Sequence, residues 1–179
     1  MLASVKALFL ELSVRSKVDQ LRGLVLASFG PVEPSIWRDP YVMAYVTEVV
    51  HGLLKQSAGA QLQPKVRELA FRRCCQRLTG ISATDLLQFS ADPELRHLGE
   101  FQSGSNDGLL LLSFLDGKAS VRSQFAWRLV EEARMFACKF ETDDEETTDP
   151  IALIAPYLLT RDLISRMLAV QASRLAPSW

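Results

Sequence analysis

Apolar residues recur along this chain at helical spacing, and the widest apolar face lies between Lys118 and Phe140. On a wheel of about 100° per residue, Val121, Phe125, Leu129, Phe136 and Phe140 fall within one arc. Ala126, Val130, Ala133 and Ala137 extend it. Bulky residues on one edge fill space between helices, and small ones on the other let a neighbour approach. This stretch is the predicted organising helix of the fold. Trp127 and Cys138 lie off the arc, on a weaker strip suited to another helix or to a partner. Arg128 and Glu132 are spaced to pair on the surface, as are Glu131 and Arg134.

Upstream, residues 3–29 read as helix with a weak point near Ser13–Ser16. Val5, Leu8, Phe9 and Leu12 form its first apolar stripe, Leu21, Val25 and Phe29 its second, and Gly30-Pro31 ends it. Asp39-Pro40 starts a helix to about Gln56, with Asp as N-cap and a core stripe of Val42, Val46, Val49 and Leu53. Pro64 to Thr79 is the next, closed by Gly80, with Val66, Ala70, Cys74 and Leu78 inward. Short helices follow over 83–89 and from Asp92-Pro93 to about Phe101.

The composition of Gln102–Gly108, QSGSNDG, predicts a flexible loop. Leu109–Leu115 reads as helix, because it holds four consecutive Leu and no β-branched residue. The minor alternative is a short β-hairpin around 109–125, turning at Asp116-Gly117. After the central helix, Glu141–Asp149 is an acidic, mobile linker. Asp149-Pro150 starts a helix that Pro156 kinks or divides. Thr160 then caps a last helix to about Leu175, with Leu163, Ile164, Met167, Leu168 and Leu175 facing inward. The pattern therefore predicts an all-α fold: a single compact bundle over 1–179 of about seven or eight helices of uneven length.

Composition narrows the function. The chain has 179 residues, 48% hydrophobic and 23% charged, with formal net charge -1. A domain this long buries roughly 70% of its unfolded surface and needs no metal or disulfide to fold. There is no global basic excess to point to nucleic acid or an anionic membrane. Three cysteines, Cys74 and Cys75 adjacent, make no disulfide framework and read as buried thiols in a reducing cytoplasm. The longest apolar runs, near 109–115 and 151–159, fall short of the roughly 20 residues of a membrane span. The segment MLASVKALFLEL lacks a leading basic region and a small-residue cleavage site. It reads as a first core helix, although Lys6, Arg15, Lys17 and Arg22 outnumber Glu11 and Asp19 as in an organelle-targeting peptide.

Two constellations carry candidate chemistry. Both histidines sit in Glu-x-x-His motifs, Glu48–His51 and Glu94–His97. Two such motifs plus a Glu from each of two other helices, here Glu11 and Glu68, make a di-iron site in a helical bundle. The wheel places Glu48 and His51 outward, with Ala44, Thr47 and Lys55, where a bundle metal site cannot form. The expectation is no metal site. Second, Thr79-Gly80-Ile81-Ser82 resembles the turn of a helix-turn-helix, behind a basic helix carrying Lys65, Arg67, Arg72, Arg73 and Arg77. Yet Gln76 stands where that motif wants a small residue, and the following helix has no Arg or Lys for bases and phosphates.

No G-x-S-x-G, P-loop or dinucleotide fingerprint occurs, so no catalytic or cofactor residue is assigned. The leading expectation is a non-enzymatic interaction or regulatory domain that binds a protein partner or associates with itself. Its candidate surface is Arg72, Arg73, Arg77 and Trp127. The acidic run 141–149, of this chain or of a second copy, is a natural counterpart for the arginines. A small-molecule-binding or metal-dependent helical enzyme is the alternative, and a DNA-binding regulator the third reading.

Overall fold

The computed structural model describes residues 2–58, 63–82, 84–86, 88, 92–115, 124–137 and 150–175. Among these, every regular element is helical. The elements are α1 (Leu2–Phe29), a 3-10 turn (Ile36–Arg38), α2 (Pro40–Ala58), α3 (Pro64–Thr79), α4 (Pro93–Arg96), α5 (Gly99–Leu115), α6 (Gln124–Ala137), α7 (Pro150–Leu158), a π-helical segment (Leu159–Ile164) and α8 (Ser165–Leu175). The all-α bundle of uneven helices read from the pattern is the fold. The acidic run 141–149 lies outside the described residues, as do residues 116–123 of the hairpin alternative, whose first arm is the end of α5.

Each Asp-Pro marks a helix start, at Pro40, Pro93 and Pro150. The Asp39 carboxylate accepts from the backbone N–H groups of Tyr41 and Val42, and Asp92 accepts from that of Glu94. These bonds satisfy donors that the first helical turn leaves without intrahelical partners. Gly80 closes α3 in the left-handed conformation, φ 74°.

Among the described residues the helix at the centre is α2, not α6 of the Lys118–Phe140 stretch. Ten of its residues are buried, among them Val42, Met43, Tyr45, Val46, Val49, Val50, Leu53 and Leu54. α1 and α3 run antiparallel to α2 on one side. Ser13 bonds Ser57 across α1 and α2, and the His51 ring lies 4.1 Å from the Phe71 ring across α2 and α3. α5 runs parallel to α2 on another side, with Gly104 against Tyr41 and Gly108 against Tyr45. The part of the Lys118–Phe140 stretch that the structure describes, α6, lies at the periphery. It buries Leu129, Val130 and Ala133 and packs on α7. Phe136 is half-buried there, 5.7 Å from the Tyr157 ring.

Four sequence expectations change. The Gln102–Gly108 loop is the middle of α5, because Gly104 and Gly108 lie on one face and admit the α2 backbone. α1 continues unbroken through Ser13–Ser16, and its first stripe is not core. Ala7, Leu10, Val14, Val18, Leu21 and Val25 are buried, while Val5, Leu8, Phe9 and Leu12 are exposed. Glu48 and His51 do not face outward: both are half-buried, and Ala44 and Thr47 beside them are buried. Finally, Pro156 does not divide the last helices and Thr160 caps nothing. The chain passes from α7 through the π-helical segment into α8, and the Thr160 hydroxyl donates to the Pro156 carbonyl. Leu163, Ile164 and Met167 are buried along this run, but Leu168 and Leu175 are exposed, because they lie on the side of α8 turned from the core.

Candidate functional site

The anticipated surface residues fall into two separate places. Arg72, Arg73 and Arg77 lie on α3, where they pair with acids of α3 and α1. Arg72 donates to Glu68 at 2.6 Å, Arg73 lies 3.7 Å from Glu11, and Arg77 grips Asp19 through two bonds of 2.5 and 2.9 Å. Those bonds from Arg77 hold the Asp19 carboxyl below its ordinary range. These three arginines of the basic helix thus face carboxylates of their own fold. Trp127 stands on α6, 57% exposed. α3 packs on α1 and α2 whereas α6 packs on α7, so the fold does not join these residues into one site.

The candidate enzymatic groups are placed as follows. Cys74 and Cys75 are buried free thiols; burial pushes Cys74 up to about 12, and Cys75 is raised by burial too. Both are protonated at neutral pH, which withholds the nucleophilic thiolate. His51 is held below its ordinary value, first by burial and then by the charge of Arg67. Among the described residues no group of three or more His, Cys, Asp or Glu side chains is placed to hold a metal ion. Behind the helix-turn-helix-like turn, residues 84–86 and 88 are helical, and Asp85 is among them. The core void beside Trp37 and Tyr45, walled by Leu21, Val25, Leu111 and Leu163, measures about 10 Å³, room for about one water.

Two further features come from the geometry. One is a polar seam where α2, α5 and the π-helical segment meet. Tyr41 donates to Asp107 at 2.7 Å, and Arg166 binds Asp39 and Glu100. The wide π turn sends Arg161 toward Glu132 and sinks Asp162, whose carboxyl burial raises. The seam's charges are largely matched within it, and it ties α8 to the start of α2.

The other feature is an open groove of about 460 Å³ where α1 crosses the end of α2 and the start of α3. α1 contributes Lys6, Phe9, Leu10 and Ser13; Ser57 and Ala58 come from α2, Val66 from the first turn of α3, and Gln63 from the position just before it. Phe9 is 67% exposed at its edge. Val5, Leu8 and Leu12, each about half exposed, continue the apolar surface along α1. The two apolar faces of α1 are the sequence signal that points here. One runs on to Val25 and is core, and the other stops at Leu12.

Comparison with known proteins finds no matching family model, no significantly similar curated protein and no significantly similar solved structure. Among the described residues no helix is long and apolar enough to cross a membrane.

Proposed function

We propose that the chain is a non-enzymatic helical interaction module of the cytoplasm, and that the groove beside Phe9 receives a helix of a partner protein. The observation that carries this reading is the exposure of Val5, Leu8, Phe9 and Leu12 on a helix whose opposite face is fully engaged in the core. Their spacing of i, i+3, i+4 and i+7 is that of an apolar helix face. Such a face beside an open groove matches the helix-in-groove mode of recognition. A contiguous apolar patch of this kind on a folded domain marks a binding surface more often than chance.

The test is selection of helical peptides from a displayed library on the full chain, run in parallel on Phe9→Asp. Amphipathic peptides enriched by the native chain and lost with Phe9→Asp support the reading. Enrichment that ignores Phe9→Asp, or none at all, sinks it. Far-UV circular dichroism checks that the variant keeps its helices, as expected for a change at an exposed position.

A further inference from the structure

We infer that a second cavity, between α1, the end of α3 and the connection from α1 to α2, binds a small aliphatic carboxylate about the size of butyrate. It shares no residue with the groove beside Phe9 and stands independently of the interaction reading.

The cavity measures about 80 Å³. Val25, Trp37 and Leu78 form its floor, each almost closed to solvent. The same side chains also wall the core void of about 10 Å³, so they partition the surface cavity from the interior. Arg22 and Leu26, exposed on the same face of α1 as Val25, and the half-buried Val32 make the rim. The structure describes every lining residue and the residues on either side of each in the chain. At roughly 10–15 Å³ for each water, the space takes about six non-hydrogen atoms, the number in butyrate.

The charge at the rim sets the sign of the ligand. Three guanidinium groups, of Arg77, Arg15 and Arg22, act on the one carboxylate of Asp19. Arg77 holds that carboxylate through two hydrogen bonds, and Arg15 lies 3.7 Å from it. Arg22 forms no ion pair among the described residues, so its charge is surplus at the cavity. No carboxylate lines the space. The Thr79 hydroxyl is engaged twice, donating to the Cys75 carbonyl and accepting from the Ile81 N–H. The Trp37 indole N–H is buried with no hydrogen-bond partner among the described residues, so the floor residue also holds an unused donor. Apolar walls with surplus donors suit an apolar chain ending in an acceptor. A single guanidinium balances the single charge of a carboxylate and meets its two oxygens in one plane. A phosphate monoester brings close to two charges and three acceptor oxygens, more than one arginine answers.

Such a ligand joins the end of α1, the connection to α2 and the end of α3, so its binding stabilises the folded chain. The experiment titrates sodium butyrate into the full chain labelled with nitrogen-15 and follows the Trp37 indole N–H resonance, assigned by triple-resonance spectra. Butyrate is expected to shift that resonance saturably at roughly millimolar concentration and to raise the melting temperature. The isosteric controls n-butanol and n-butylamine should do neither. Arg22→Gln, a change at an exposed position, should keep the fold and weaken butyrate about tenfold. Phe9→Asp should leave butyrate binding as it is. No saturable shift overturns the site. Equal binding of n-butanol or n-butylamine, or undiminished binding to Arg22→Gln, overturns the carboxylate. Loss of binding with Phe9→Asp places the ligand in the groove and overturns this cavity as its site.

Discussion

Gly108 of α5 lies against Tyr45 of α2 so closely that a Cβ on the glycine would stand 2.8 Å from the Tyr45 carbonyl oxygen. One turn earlier, Gly104 meets the Tyr41 carbonyl more tightly still. Each glycine costs α5 about 1 kcal/mol of helix propensity relative to alanine. The close approach of two backbones, and the burial it brings to both helices, offsets that cost.

Alanine at either position must therefore push the helices apart. Gly104→Ala and Gly108→Ala are expected to destabilise by about 1–3 kcal/mol, the usual range for overpacking. Gly23 supplies the control. It is exposed in the middle of α1, and a Cβ added there would meet nothing within 4 Å. Gly23→Ala should stabilise by about 0.5–1 kcal/mol. Urea unfolding of the three variants measures this, and a destabilised Gly23→Ala or a neutral Gly104→Ala would contradict the close packing of α5 on α2.

The two tyrosines on this contact differ in one respect. The Tyr41 hydroxyl donates to Asp107, while the Tyr45 hydroxyl is buried with no hydrogen-bond partner among the described residues. Removing a satisfied hydroxyl loses a bond to a carboxylate, and removing an unsatisfied one relieves a desolvation cost. Tyr41→Phe should lower stability by about 1–2 kcal/mol, while Tyr45→Phe should leave it unchanged or raise it. Equal losses in thermal melts of the two variants would mean that Tyr45 has a partner.

These contacts explain what the pattern alone revealed and what it concealed. Capping chemistry is local, so the starts at Pro40 and Pro93 and the stop at Gly80 were legible from a few residues. The core stripe of α2 was legible for the same reason. Its outward face was not, because α5 covers part of α2 through glycines whose composition reads as loop. The spacing of Gly104 and Gly108, four apart, was the available signal. On α1 both stripes have helical period, and only the greater length of the one from Ala7 to Val25 marks it as core. The groove itself arises from the crossing of three helices, and no single segment encodes it.

On α6 the burial pattern ranks the side chains in a way the wheel did not. Leu129 is 2% exposed against α7, and Trp127 is largely in solvent. Leu129→Ala is expected to cost about 2–5 kcal/mol, as for buried leucines elsewhere. Trp127→Ala should stay within about 0.5 kcal/mol of the native chain. Phe136→Ala should fall between them, since its ring is half-buried beside Tyr157. Denaturant midpoints of the three variants check the order, and a large loss at Trp127 would place that side chain under cover.

The pH dependence of stability should trace to His51. Its imidazole packs on the Phe71 ring, and burial, aided by the charge of Arg67, disfavours the protonated form. The unfolded chain takes up that proton near the ordinary value of about 6.5, while the folded chain resists it to lower pH. Between the two values the unfolded state binds more protons, so stability falls as the pH falls. The contribution is fully present above about 6.5 and is lost on the way down to the folded value. His51→Phe keeps an aromatic ring against Phe71 and removes the titration. Urea midpoints at about pH 7.5 and about pH 5 should therefore separate clearly in the native chain and draw together in His51→Phe. The same separation in both proteins would assign the acid sensitivity to other groups and leave His51 with a packing role alone.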